Sequence, residues 1–375
     1  MKTVEFLKAN GKDFSKLTES FGIKVKTYND LFLPTLYVLN YDQKEYPKTD
    51  AIVMECRGLI LDDNLDIICR PFDRFFNYGE AGTEKEDFRN YTFYPKLDGS
   101  LIKVYHWHGM WRIATRGTAF AEAPVGSWGI TFEQLALKAF GCKSLKEFDD
   151  LLSNKLQFNV GMTYLFELTA PENRVVTPYT ERSVTLLAVR DCKTGDYLPT
   201  QYVDSFGSFK HNRAETGYTI QEIISKANTL KNLEEGFVGY DSGGVPRVKV
   251  KSAQYVALHK LKGDGLTPKR ICELVVTGEE DEYLTYFPED ERLVKPYFEA
   301  HKRMLDEMVN EYDKVKEIVD QKEFAISIKS VYGNSVLFSA RKLSKPVETV
   351  YNSDTVQRKT KLLLEYCERN KVCSV

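Results

Sequence analysis

Tyr94-Pro95-Lys96-Leu97-Asp98-Gly99-Ser100 is the stretch from which the rest of the chain can be read. It sets a lysine directly after a short extended run and directly before an Asp-Gly turn, an unusual place for a merely solvated lysine. An ε-amine there can serve as a nucleophile when its neutral form is reachable near neutral pH, which requires a pKa well below the free value of about 10.4. Gly99 allows the backbone to turn tightly and to approach a ligand. Alone, K-x-D-G is short enough to occur by chance, so its surroundings decide its meaning.

On the C-terminal side, Ser100 to Trp107 and Met110 to Thr115 flank His108-Gly109, the pattern of a β-hairpin. Gly58 to Leu61 and Leu65 to Cys69 flank Asp62-Asp63-Asn64 in the same way. Tyr164 to Leu168, Val184 to Val189 and Phe237 to Tyr240 are further short apolar runs, and Arg247 to Lys251 alternates basic residues with valine. Phe132 to Phe140 and Leu145 to Leu152 read as helices. Beyond His259 the period changes. Val294, Phe298, His301, Leu305, Met308, Tyr312, Val315 and Val319 recur at steps of three and four, one face of a long amphipathic helix with Pro296 in its first turn. Asn352 or Ser353 is expected to cap a last helix carrying Val356, Leu363, Leu364 and Cys367. The expected architecture is therefore α+β, a strand-rich domain over 1–260 followed by an all-helical domain over 261–375, joined near Leu261 to Leu266.

A chain of 375 residues, 42% hydrophobic and 28% charged, is globular and long enough for two or three domains. Its 52 Lys and Arg against 54 Asp and Glu exclude nucleic-acid binding by bulk charge. Charge nonetheless divides along the helical part: residues 261–320 hold nine basic against sixteen acidic residues, and residues 321–375 hold ten against five. The basic end suits a phosphate-backbone surface, although a solvated face would look the same. No run approaches the ~18 apolar residues of a membrane span, and the first residues have no apolar signal region, so a cytoplasmic protein is expected. Seven scattered cysteines without a C-x-x-C pair point to reduced thiols rather than to a disulfide framework or a zinc site. His106 and His108 bracket Trp107; a hairpin tip accounts for them more simply than a metal. No exposed heptad seam asks for a partner, so a monomer is expected.

Other chemistry-bearing residues surround Lys96. Glu167 stands in Phe166-Glu167-Leu168 at the end of an apolar run, and Glu235 in Glu234-Glu235-Gly236-Phe237-Val238 before another. Lys249 and Lys251 point to one face of their strand while Val248 and Val250 enter the core. Arg57 lies in Glu55-Cys56-Arg57-Gly58, and the run from Arg70 to Asn77 adds Arg74 and Phe76. Singly, each has a plain reading: a surface ion pair, core aromatics, the solvent face of a strand. Such readings predict no order among them. The ordered set K-x-D-G, F-E, E-G-F-V and K-V-K resembles that of the covalent nucleotidyltransferases, which include DNA ligases, RNA ligases and messenger-RNA capping enzymes. More narrowly, ECRGLI at 55–60, RPFDRFFN at 70–77, KLDGS at 96–100, FELTAPENRVV at 166–176, LLAVRDCKTGDYL at 186–198 and VKVKSAQYVALH at 248–259 resemble the RNA ligase 1 family of T-even bacteriophages.

The resemblance implies an N-terminal antiparallel-sheet nucleotidyltransferase (ATP-grasp-like ligase) domain and a helical C-terminal RNA-substrate domain. It implies ATP and Mg2+ as cofactors. It also implies an RNA partner, a tRNA with a broken anticodon loop by family analogy, and the cytoplasm of the host if the chain is of phage origin. Lys96 would attack the α-phosphate to form a lysyl-AMP, AMP would pass to an RNA 5′-phosphate, and a 3′-hydroxyl would then displace it. By the same resemblance Lys249 and Lys251 would contact the α-phosphate and help lower the pKa of Lys96. Arg57, Arg74 and Arg116 would hold the outgoing phosphates, Glu167 the ribose hydroxyls, and Phe76 would pack the nucleotide pocket with Gly99 close to the ligand. Asp98 would orient the Lys96 loop, and Glu235 would hold the metal. Asp281, in Glu279-Glu280-Asp281-Glu282, matches by position a second metal carboxylate. The family often has lysine where this chain has Arg74 and Arg116; arginine keeps the charge and adds bidentate geometry. The alternatives are a DNA ligase or capping enzyme, disfavoured because no strand pattern follows Lys251, and a non-enzymatic RNA-end-binding protein, disfavoured by five intact chemical positions.

Overall fold

Wherever the two-residue alternation holds, the computed structural model has a strand. It describes residues 1–41, 49–80, 83, 88–126, 128–204, 209, 214–263 and 266–372. Cys373 and part of the expected joint at Leu261 to Leu266 lie outside them. Two compact units are formed, Met1–Leu258 and His259–Val375. In the first, β1 (Lys24–Tyr28), β2 (Leu36–Asn40), β3 (Arg57–Asp62) and β4 (Ile67–Cys69) make one sheet in sequential order. The remaining strands are β5 (Phe76–Asn77), β6 (Thr92–Lys96), β7 (Ser100–Trp107), β8 (Met110–Thr115), β9 (Met162–Thr169), β10 (Ser183–Asp191), β11 (Glu215–Thr216), β12 (Gly236–Tyr240) and β13 (Pro246–Lys251). They form a sheet of order β10-β9-β7-β8 and another of order β11-β6-β12-β13-β5. Neighbours are antiparallel except β13 and β5, which run parallel.

Local chemistry explains the joints. Both expected hairpins form, β3–β4 and β7–β8. His108 at φ 47° and Gly109 at φ 75° are both left-handed, as a two-residue turn with the twist of its flanking strands requires. The six described cysteines are all free and buried.

Among the described residues the first unit also holds the helices α1 (Lys2–Ala9), α2 (Ser15–Phe21), α3 (Ala51–Glu55), α4 (Phe132–Ala139), α5 (Leu145–Asp150), α6 (Thr200–Asp204) and α7 (Ile220–Ala227), and α8 (Ala253–Lys262) begins in it and runs into the second. Thr131 and Gln134 close a capping box on α4, and Ser144 caps α5, which runs on as a π-type turn over Leu151–Lys155. Helices and the outer face of β10-β9-β7-β8 share one core, with Trp111, Phe148, Leu152 and Phe166 among its members. A smaller cluster, Phe72, Tyr94, Leu165, Ala188, Val238 and Tyr240, joins that sheet to the five-stranded one. Side chains of both sheets and of residues 70–75 meet in this cluster, and beside it lies a cleft.

The described residues of the second unit form only helices: the end of α8, then α9 (Pro268–Thr277), α10 (Glu280–Tyr286), α11 (Glu291–Val315), α12 (Gln321–Ile328), α13 (Asn334–Leu343), α14 (Val347–Asn352) and α15 (Val356–Arg369). Three expectations are corrected. The buried face of α11 is Val294, Tyr297, Ala300, Met304 and Met308, while Phe298 is 45% exposed and Val319 lies beyond the helix at 92%. Val294 and Met308 of the expected stripe are buried, but between them the buried positions Tyr297, Ala300 and Met304 each fall one residue before Phe298, His301 and Leu305, because small and aromatic residues also pack. Pro296 is the sixth residue of α11, not part of its first turn, so the helix forgoes one backbone bond there. The cap of α15 is Thr355, whose side chain accepts from the Arg358 N–H; Asn352 and Ser353 end α14 instead. No helix among the described residues is long and apolar enough to cross a membrane.

The cap assignment is testable by denaturant unfolding. Thr355→Ala is expected to cost about 1 kcal/mol, the usual value of a lost N-cap bond, whereas Ser353→Ala stays within about 0.5 kcal/mol.

Candidate active site

One row across three strands carries the site. Gly236 of β12 is the register partner of Lys96 at the end of β6 and of Lys251 at the end of β13. Two residues down, Val238 pairs both Tyr94 and Lys249. The residue at the centre must be glycine: φ is +140°, and a Cβ would stand 2.0 Å from the Val250 carbonyl oxygen. Lys249 and Lys251 share a face while Val248 and Val250 are buried, as the alternation predicts.

Glu235, one residue before that row, is 3% exposed and has one ammonium group on each oxygen. Lys96 Nζ donates to Oε2 at 2.6 Å, and Lys251 Nζ lies 2.9 Å from Oε1. Burial pulls Lys96 down, but the carboxylates of Glu235 and Glu167 outweigh it, and the lysine is held above its ordinary value. This corrects the expectation that the neighbouring lysines lower it. The perturbed lysine is Lys249 instead. Burial, then the charges of Arg57, Lys96, Lys251 and Arg74, bring it down to about 7. The one side-chain hydrogen bond of Lys249 among the described residues is to the Phe75 carbonyl at 2.9 Å, and its ammonium sits 4.4 Å from the Phe75 ring centre. Burial raises Glu167 to about 7; the Lys96 ammonium pulls it back down, while the negative charges of Glu235 and Asp98 favour its protonated form.

Between the two sheets opens a cleft of about 780 Å³, part of it continuous with solvent. Its charged lining is Arg57, Lys96, Glu167 and Lys249, and its apolar walls include Phe72, Phe75, Leu101, Leu187 and Val238. An apolar slot with charge at one end suits a flat base attached to an anion. Among the described residues, Arg57 Nη1 and Arg74 Nη1 are buried without a hydrogen-bond partner. Orphaned guanidinium donors are costly to bury and ask for an anion. Arg74 and Arg116 lie 4.9 Å and 4.8 Å from the ring centre of Tyr41.

Loop 97–99 is pinned from beneath. Asp98 is 3% exposed; its Oδ2 accepts from the Val176 and Thr177 N–H groups at 2.6 and 2.7 Å, and its Oδ1 from the Tyr255 hydroxyl at 2.6 Å. With those bonds made, it orients the loop and has no free oxygen facing a proton transfer. Gly99 donates to Glu167 Oε1 at 3.1 Å, and a Cβ there would meet the Leu168 carbonyl oxygen at 2.3 Å.

Lys96, Gly99, Arg57, Glu167 and Lys249 thus line one cleft, and Glu235 and Lys251 stand at its lysine. Phe76 does not line it; the Arg74 guanidinium packs on its ring at 5.4 Å. Adjacent residues of an extended run face opposite ways, and it is Phe75 that faces the cleft. Asp281 belongs to the second unit, on α10, with an exposed side chain. Among the described residues no group of three or more His, Cys, Asp or Glu is placed to hold a metal. The sequence also left Lys103 unremarked. It is fully buried on β7, drawn down to about 8 by burial, and donates to the Gly58 carbonyl at 2.5 Å beside Arg57. A lysine among the valines and aromatics of a core strand was its one sequence signal.

A single cleft that joins an apolar slot, a half-buried lysine on a buried carboxylate and cations without a carboxylate partner among the described residues is the layout of a nucleotide-handling protein. The family model for RNA ligase matches residues 55–257, and the chain belongs to that family. A protein of Autographa californica nuclear polyhedrosis virus, assigned as a bifunctional polynucleotide kinase/RNA ligase, is 37% identical over 82% of this chain and 45% of its own length. The chain therefore spans less than half of that relative. An RNA ligase of Rhodothermus phage RM378 is 25% identical over 85% of this chain and 86% of its own. Among solved structures, an archaeal ATP-dependent RNA ligase is similar at a TM-score of 0.47 and 14% identity, over 99% of this chain and 90% of that one.

The depressed lysine has a measurable consequence. With its pKa about 7, Lys249 is mostly neutral near pH 8, and a bound polyanion favours its ammonium form. Inorganic pyrophosphate binding near pH 8 should then take up as much as about one proton, falling toward zero near pH 6, where the ammonium is already present. Glu167 titrates in the same range, so Lys249→Met should reduce the uptake without removing all of it. Calorimetry in buffers of different ionisation enthalpy reads the count, and equal counts at both pH values would refute the assignment.

Proposed function

We propose that this protein is an ATP-dependent RNA ligase that works through a lysyl-AMP. The observation that carries the reading is Lys96 at the mouth of a cleft whose other charged groups are arranged for a nucleoside triphosphate. Lys96 starts as an ammonium on Glu235, so it becomes a nucleophile only after a first proton leaves to solvent. The Lys96 Nζ–phosphorus bond then forms as the bond from the α-phosphorus to the pyrophosphate oxygen breaks, and the nitrogen gives up a second proton, to the departing pyrophosphate or solvent, as the phosphoramidate forms. Cations drawn to the incoming triphosphate, Lys249 first among them, offset the Glu235 charge that holds the proton in place. Arg57, Arg74 and Arg116 receive the pyrophosphate; the orphaned donors of Arg57 and Arg74 support that role, and Arg116 shares the Tyr41 ring with Arg74. Phe75 and Phe72 wall the base, and Glu167 faces the ribose. AMP then passes to an RNA 5′-phosphate, and a 3′-hydroxyl displaces it. Each step is an in-line displacement that depends on positioning and charge neutralisation.

Magnesium prefers one or two carboxylates together with substrate phosphates, so the described residues fit it as a partner of the triphosphate rather than in a cage of their own. Glu235 is the carboxylate that would hold it, because adenylation of Lys96 removes the ammonium from Oε2. The metal supplies charge neutralisation at the phosphates. Asp281 as a second ligand rests on position in the resemblance.

To the unit Met1–Leu258 we assign adenylylation, and to His259–Val375 RNA docking. The basic residues Lys342, Lys345, Arg358, Lys361, Arg369 and Lys371, all exposed, support the second assignment. A broken tRNA as natural substrate, a monomeric state and a cytoplasmic location follow from the resemblance and from the chain's composition.

The deciding experiment mixes protein, Mg2+ and ATP labelled at either the α- or the γ-phosphate, then denatures the protein. Retention of the α label alone, lost in Lys96→Ala, is the expected result; an adduct that survives in Lys96→Ala overturns the lysine assignment. In Glu235→Gln the Mg2+ midpoint of AMP transfer should rise by roughly ten-fold. An unchanged midpoint would confine Glu235 to its counter-ion part.

A further inference from the structure

Between the end of β4 at Cys69 and the start of β5 at Phe76, residues 70–75 cross the cleft with no strand partner. This strap nevertheless supplies two walls of the cleft, Phe72 and Phe75, and the carbonyl that holds Lys249. Three backbone anchors fasten it: the Arg70 N–H on the Thr163 hydroxyl at 2.9 Å, the Arg74 N–H on the Met54 carbonyl at 2.9 Å, and Arg190 on the Pro71 carbonyl.

Arg190 is the charged one. It stands on β10 with a side chain 4% exposed. Nη1 and Nη2 grip Asp73 Oδ1 and Oδ2 at 2.9 and 2.7 Å, Nη1 also donates to the Pro71 carbonyl, and Nε donates to the Gly195 carbonyl at 2.9 Å. Its guanidinium lies 4.6 Å from the Tyr197 ring centre. Tyr197 stacks on Phe72 at 6.0 Å, and Phe72 meets Phe75 edge to face at 6.1 Å. Phe75 is the ring under Lys249. A continuous path of packed groups thus leads from Arg190 to the perturbed lysine. Neither Arg190 nor Asp73 lines the cleft.

We propose that Arg190 and Asp73 are positioning residues for nucleotide binding, a bidentate clamp that fixes the strap and so places the cleft walls Phe72 and Phe75. A lysine at 190 could not replace the planar fork, since it cannot hold both carboxylate oxygens and two carbonyls at once. Because the strap has no sheet bonds, loosening it leaves the two sheets intact and shifts the wall of the cleft. The proposal rests on the nucleotide reading of that cleft.

The test is equilibrium binding of ATP without metal to the whole chain, for the wild type, Asp73→Asn, Arg190→Lys and the double variant, together with the maximal rate of AMP transfer. Each single variant should weaken ATP binding by about ten-fold, with the maximal rate at saturating ATP within about two-fold of wild type. The double variant should be no weaker than the weaker single one, because the two side chains act as a unit. If Arg190→Lys fails to fold, Asp73→Asn, at the half-exposed end of the pair, decides alone. Wild-type ATP affinity in the variants, or effects that add in the double variant, would overturn the clamp and leave the nucleotide reading standing. A wild-type chain that binds no ATP would overturn both.

Discussion

Everything in the candidate site depends on the charge balance around Glu235. Three lysines, 96, 249 and 251, converge on one face of a sheet, and bringing ammonium groups out of water without compensation is costly. Glu235 answers two of them directly, through Lys96 and Lys251. Lys249 is left with a carbonyl and an aromatic face, and its proton is the one held loosely. The sheet therefore stores an uncompensated affinity for negative charge at the spot where an α-phosphate would lie. The same balance explains why Lys96 rests as an ammonium: in a buried site, a charged lysine on a carboxylate is safer than a neutral amine beside two carboxylates.

Backbone geometry makes the balance possible. Gly236 lets β6 and β13 carry their terminal lysines to one row, and Gly99 lets the Lys96 loop close on Glu167 of the other sheet. Asp98 spends its hydrogen bonds on holding that loop. The cleft is lined by residues of both sheets and by Phe72 and Phe75 of the strap 70–75. Strands place the lysines with the precision that phosphoryl transfer needs, while the strap carries the less regular walls.

Much of this was legible in the residues. The hairpins at 58–69 and 100–115, the alternation at 247–251 and the K-x-D-G loop are local signals, and their period or turn chemistry survives folding unchanged. Thr355 was missed because Asn352, Ser353 and Thr355 are all competent caps and only the path of α14 selects among them. The phase of α11 was one step out because packing, not hydrophobicity, decides whether Ala300 or Phe298 faces inward. Phe75 was taken for its neighbour Phe76, since a run of two phenylalanines says that one is buried but not which.

By itself the sequence determined the two hairpins, the strand runs near 164, 184, 237 and 247, the change to helices after them, and the identity and order of the chemical side chains, because periodicity, turn residues and motif spacing are properties of neighbours. Only the tertiary structure decided the electrostatics. That Lys249 rather than Lys96 loses its hold on a proton, that Glu235 serves two lysines, and that Arg190 reaches a strap more than a hundred residues away are consequences of long-range burial and pairing. Those energies belong to groups brought within a few ångströms by the fold, and no local pattern encodes them.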